Sequence, residues 1–214
     1  MKTTAIIIRH GFSETNRDNK FAGQLDVKLT DIGRKQAQLA AEYISENFNI
    51  DKIYSSDLSR CYDTIKPLAE KLDMEIITDE GLREICAGVW EGRYLTDIER
   101  EYPEDYKVWK ENVGLARCTG GESFSECQIR IITTIEKILK AEQGKTVVIA
   151  THGGVLRTYE CYLKNIPLEE MKNVKHMKNA AVSVIEFDGG FTTIKEWDIT
   201  EHLGDFCTSM PKGV

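Results

Sequence analysis

The chain has 214 residues, 41% hydrophobic and 29% charged, a composition that fits a globular protein and excludes a fibre or a wholly disordered chain. A formal charge of -7 argues against broad affinity for nucleic acid or an anionic membrane, since both need a basic surface, yet a few arginines in a cleft still admit a small anionic substrate. Without a signal h-region, a membrane-length apolar run or metal-type spacing among the six cysteines, the sequence predicts one cytoplasmic domain over 1–214, with inert thiols, no metal and no cofactor.

The run Ala5-Ile6-Ile7-Ile8 predicts a strand buried on both faces of a mostly parallel sheet, ending in Arg9 and His10. Thr30 is placed to cap a helix that carries Leu39, Ala40, Tyr43, Ile44 and Phe48 on one face. Lys52 to Ser55 reads as the next strand. A second helix is expected from Ser56 or Asp57 to about Leu72, bent at Pro67, with Arg60 in its first turns. Met74 to Ile77 follows as a strand. The stretch 78–121 then mixes glycine, charge and aromatics, and is expected to be an insertion over the sheet edge.

Ser123-Phe124-Ser125-Glu126 is a capping box opening a helix with Cys127, Ile131, Ile135, Ile138 and Leu139 at helical spacing. Thr146 to Ala150 repeats the pattern of the first strand and delivers Thr151-His152-Gly153-Gly154 into a helix from Val155. Ala181 to Phe187 and Phe191 to Trp197 flank Asp188-Gly189-Gly190, a hairpin signal. The expected fold is therefore α/β: a three-layer sandwich with a mostly parallel central sheet, one antiparallel edge hairpin and helices on both faces.

In open α/β sheets, ligands bind outside the carboxyl ends of the strands. Two buried strands here end in a histidine followed by glycine, His10-Gly11 and His152-Gly153, and Arg60 is placed to reach the same edge with a guanidinium suited to phosphate. The bland alternative is two separate core histidines and a surface arginine.

The ordered blocks resemble the histidine phosphatase superfamily, the phosphoglycerate-mutase-like enzymes. Arg9-His10-Gly11 with Ser13 and Asn16 is similar to the RHGxSxxN signature, and Phe21-Ala22-Gly23-Gln24 with Asp26, Leu29 and Thr30 to the segment that follows it. Ser55 to Arg60 resembles the S-S-x-L-x-R element. Leu82-Arg83-Glu84-Ile85 with Gly88, Trp90, Glu91 and Gly92 looks like the block of the family's phosphatase branch, and Thr151 to Arg157 completes the series.

The resemblance implies His10 as nucleophile, forming a phosphohistidine, with Arg9, Arg60 and His152 around the phosphoryl group, Asn16 as a neutral donor and Glu84 as proton donor. It extends phosphate or leaving-group contacts to Ser13, Gly23, Gln24 and Gly153. For Glu84 the competing reading is a salt bridge with Arg83, and for Glu122 the choice between substrate contact and a structural role stays open. Trp90, Tyr94, Tyr102, Tyr106 and Trp109 are expected to pack the insertion onto the sheet or to wall the substrate. His176 and His202 are assigned surface roles.

The expected activity is hydrolysis of small phosphorylated metabolites. Cofactor-dependent phosphoglycerate mutation is the alternative, and a non-catalytic phospho-ligand binder is the alternative from another class. Against the mutase, Glu84-Ile85-Cys86-Ala87 stands where mutases carry an E-R-H-Y block, and only Arg117 lies where they carry an arginine pair.

Overall fold

The computed structural model describes residues 1–208. In chain order its main elements are β1 (Thr3–Arg9), α1 (Glu14–Asp18), α2 (Asp31–Asn47), β2 (Lys52–Ser55), α3 (Ser59–Leu72) and β3 (Ile76–Thr78). There follow α4 (Leu95–Glu101), α5 (Pro103–Glu111), α6 (Phe124–Ala141), β4 (Thr146–Thr151), α7 (Gly153–Leu163), β5 (Val182–Asp188) and β6 (Phe191–Ile199).

The strands form one sheet in the order β3-β2-β4-β1-β5-β6. The first four are mutually parallel, while β5 runs antiparallel to β1 and β6 antiparallel to β5. Residues of β1 alternate between two cores, as a two-residue side-chain period requires. Ala5 and Ile7 join a cluster with Ile131 and Ile135 of α6 and Leu156 and Tyr159 of α7. Ile6 and Ile8 join another with Ala40 and Ile44 of α2 and Ile65 and Leu68 of α3. The result is the expected three-layer α/β arrangement.

Local chemistry explains the boundaries. Thr30 accepts from Gly33 N at 3.1 Å, and Ser123 and Glu126 complete both halves of their capping box. The turn between β5 and β6 uses positive φ at both Gly189 (58°) and Gly190 (91°), which suits a two-residue hairpin. One boundary moved. The helix expected from Ser56 or Asp57 begins at Ser59, because Ser56 N still pairs with Ala150 O at 2.9 Å and holds the chain extended beyond β2. The helix then runs through Pro67 to Leu72.

Register does the work of assembling the candidate site. Ile8 lies beside Ala150 and Arg9 beside Thr151, so the next residues, His10 and His152, emerge side by side at one sheet edge. Ser55 lies beside Ala150 on the other flank, which brings the start of α3 and its Arg60 to the same edge.

Candidate active site

The rings of His10 and His152 sit 5.3 Å apart between centroids, at the carboxyl ends of β1 and β4. His10 Nδ1 lies 2.8 Å from Gly11 O, an acceptor only, so Nδ1 carries the proton. Nε2 then holds the lone pair and, among the described residues, makes no hydrogen bond. Burial first, then the charges of Arg60 and Arg9, holds the His10 pKa well below the ordinary histidine value. The imidazole is neutral at neutral pH.

His152 is differently employed. Arg60 Nε donates to its Nδ1 at 3.1 Å, which puts the ring proton on Nε2, 2.9 Å from Ser56 Oγ. Both ring nitrogens therefore face protein, and His152 supports the site through Arg60 without itself lining the pocket. Arg60, fully buried, also donates from Nη1 to Leu25 O and from Nη2 to Gly23 O, each at 2.8 Å. These bonds fix the plane of a guanidinium that has five N–H groups to give. Arg9 donates from Nη1 to Met177 O at 2.5 Å, and its pKa is lowered to about 10, chiefly by burial.

Glu84 reaches the site from the segment after β3. Its Oε2 accepts from Gly154 N at 2.9 Å, and its Oε1 accepts from Val155 N and Ile85 N at 3.0 Å each. The carboxyl group thus sits at the N-terminus of α7, held there by backbone N–H groups. The competing salt bridge with Arg83 does not form, because Arg83 pairs with Asp57 across a two-point contact. The two glycines after His152 have separate reasons. A Cβ on Gly153 would lie 2.9 Å from Arg9 Nε, and one on Gly154 would lie 2.6 Å from Glu84 Oε1.

Arg9, His10, Asn16, Gly23, Arg60, Glu84 and Gly153 share one pocket of about 110 Å³. That is smaller than the roughly 300–1,000 Å³ of a drug-sized site, and it suits a small ester. Asn16 turns Oδ1 toward Ser13 N and Asn179 Nδ2, leaving its amide nitrogen for the cavity. Phe21, Ile85, Trp109, Val113 and Phe124 form the apolar side. Of the aromatics in 78–121, Trp109 both packs and lines the pocket, whereas Trp90 is buried against Phe21.

Several expected residues stand apart. Ser13 caps α1, and Gln24 spends its side chain on Glu84 O at 3.0 Å; neither lines the pocket. Glu122 pairs with Arg130 at 2.7 Å and accepts from Cys86 N, a structural role. His176 and His202 are not surface residues. His176 lines the pocket beside Arg157, and His202 is half-buried, stacked on Tyr43 at 4.8 Å. Sequence reasoning missed three contributors. Arg130 ties Gly81, Arg83 and Glu84 carbonyls together and so sets the course of the Glu84 segment. Arg157 and His176 are the other two.

Burial of these imidazoles has a measurable consequence. The pKa of His176 is pushed down to about 3 by burial and by Arg157, and those of His10 and His152 also lie well below 6.5. Below the unfolded value near 6.5, the unfolded chain takes up protons that the folded chain refuses, so stability falls as pH falls. The slope approaches about 1.4 kcal/mol per pH unit for each histidine. A denaturant midpoint that drops from pH 7 to pH 5 at constant m-value is the expected result; a flat profile would contradict the burial.

The family profile of the histidine phosphatase superfamily (branch 1) matches residues 5–200. Phosphoserine phosphatase 1 of Hydrogenobacter thermophilus is 33% identical over 209 residues, covering 98% of this chain and 98% of its own. Among solved structures, Bacillus stearothermophilus YhfR superposes with a TM-score of 0.89 at 30% identity, over 94% of this chain and 99% of that one. A histidine-to-alanine mutant of the Entamoeba histolytica phosphoserine phosphatase, in complex with phosphoserine, has a TM-score of 0.82 at 28% identity, over 94% of this chain and 99% of that one.

Proposed function

The chain belongs to the histidine phosphatase superfamily, branch 1, and on that premise we propose that it hydrolyses phosphomonoesters of small metabolites through a phosphohistidine at His10. The observation that carries the reading is the Nε2 of a neutral, buried His10, unengaged among the described residues, in a pocket that it lines together with Arg9 and Arg60.

The chemistry follows from those groups. The Nε2 lone pair attacks phosphorus as the bond to the ester oxygen breaks, and Glu84 supplies the proton that the leaving alkoxide takes. Water then attacks the phosphohistidine, gives its proton to Glu84, and the P–N bond breaks to release phosphate and restore neutral His10. Arg9 and Arg60 neutralise the equatorial oxygens, with the Asn16 amide as a third donor. His152 is a positioning residue that holds Arg60 through its Nε.

Hydrolysis is preferred over mutation because the arginine pair that mutases carry for a second phosphate is reduced here to Arg117, which is not aimed inward. Arg117, where a mutase-like arginine would stand, bonds Glu126 at 2.6 Å and Gly121 O at 2.8 Å on the exposed surface. Chelator-treated enzyme is therefore expected to release inorganic phosphate from 3-phosphoglycerate faster than it interconverts the 2- and 3-isomers. Interconversion outrunning release would assign the chain to the mutases instead.

A further inference from the structure

Arg157 lies on α7, one turn beyond Gly153 and Gly154, so it projects along the face that meets Arg9 and Glu84, with about 6 Å of axial rise from Gly153. It is 9% exposed, lines the pocket, and forms no salt bridge with any described residue. Its Nε donates to Val174 O at 2.8 Å and its Nη1 to His176 Nε2 at 2.9 Å. Among the described residues Nη2 carries no hydrogen bond.

The Arg157 contact fixes the histidine's tautomer. Arginine only donates, so His176 Nε2 is the acceptor and the ring proton resides on Nδ1. That Nδ1 is buried and has no partner among the described residues. Two under-satisfied features thus line one pocket: a buried guanidinium that forms no salt bridge with a described residue, nearby Glu160 being paired with Lys164, and a buried N–H donor without an acceptor among the described residues. Each is costly when left empty, and an anion answers both.

We propose that Arg157 and His176 form a second anion subsite, which selects phosphomonoesters carrying a carboxylate next to the esterified carbon chain. The inference rests on the hydrolase reading, since it takes the Arg9 and Arg60 end of the pocket as the phosphoryl site. A carboxylate fits better than a bulkier second phosphate, because the planar guanidinium edge matches it and the cavity is small.

The test uses matched ligands and a form of the enzyme that cannot turn them over. In a His10→Ala background, 3-phosphoglycerate and glycerol 3-phosphate, which differ by carboxylate against hydroxymethyl, are titrated calorimetrically. The carboxylate ligand is expected to bind about tenfold to a hundredfold more tightly, the range of a charge-assisted hydrogen-bond pair. Adding Arg157→Gln should bring the two affinities together. His176→Phe, which removes both the Nδ1 donor and the Nε2 acceptor of Arg157, should erode the ratio, and His176→Asn, which restores an N–H near Nδ1 but not the Nε2 acceptor, should recover it. Equal affinities before any further substitution would overturn the subsite alone, as would a ratio that survives both Arg157→Gln and His176→Phe, or one abolished only by Lys20→Met, Lys20 being a further cation lining the pocket. Failure of both ligands to bind would instead refute the phosphoryl site and the subsite with it.

Discussion

Replacing His10 with alanine is expected to lower kcat on any phosphomonoester by on the order of 10⁴- to 10⁶-fold, the scale on which loss of a nucleophile is felt. No neighbour can substitute. Both nitrogens of His152 are engaged, by Arg60 and by Ser56, and burial holds the Cys61 thiol far above its ordinary pKa, which starves it of thiolate. The fold should survive, because what His10 gives the structure runs through its backbone: its N–H bonds Thr151 O, and its carbonyl accepts from Asn179. The decisive measurement is label transfer from a phosphoester to wild-type protein, acid-labile and alkali-stable, and its absence in the variant. Full turnover without His10 would sink the covalent mechanism, and a folded wild type that takes no label would favour a chain that only binds phospho-ligands.

How much of this site was legible in the sequence depends on what kind of contact places each residue. His10 and His152 could be read because a fully apolar strand followed by His-Gly announces a sheet edge, and parallel register then makes the pair neighbours. Arg60 is legible from its place in the first turns after a strand, and Glu84 only through resemblance to an ordered family block. Their actual partners, the carbonyls of Gly23 and Leu25 and the N-terminus of α7, are long-range contacts with no local signature. Arg157 carried a detectable signal, since it stands four and three residues after the two glycines and so on their helical face. His176 carried none. It sits in a segment without periodicity, and only the course of that segment around Arg157 brings it inward. The same limit explains Ser13 and Gln24, whose polar side chains looked like ligand donors but are consumed by a helix cap and a loop carbonyl.

Replacing Glu84 with glutamine should cost about 10²- to 10⁴-fold on an alkyl phosphate, the usual worth of a positioned proton donor, and the size should depend on the leaving group. A nitrophenolate leaves without help, so with nitrophenyl phosphate the first displacement should stay fast. The second step still needs a base to take the proton from water. The variant should therefore give a burst of nitrophenolate equivalent to the enzyme present, followed by slow turnover and accumulation of phosphohistidine. A purely structural carboxylate predicts something else. Glu84 accepts three backbone N–H bonds at the start of α7, and glutamine, which offers one acceptor oxygen, must lose some of them. If capping were its whole task, the variant would be less stable to denaturant, and its losses on alkyl and nitrophenyl esters would be equal, with no burst. Leaving-group dependence thus separates a proton donor from a helix cap even though the same two oxygens would serve both.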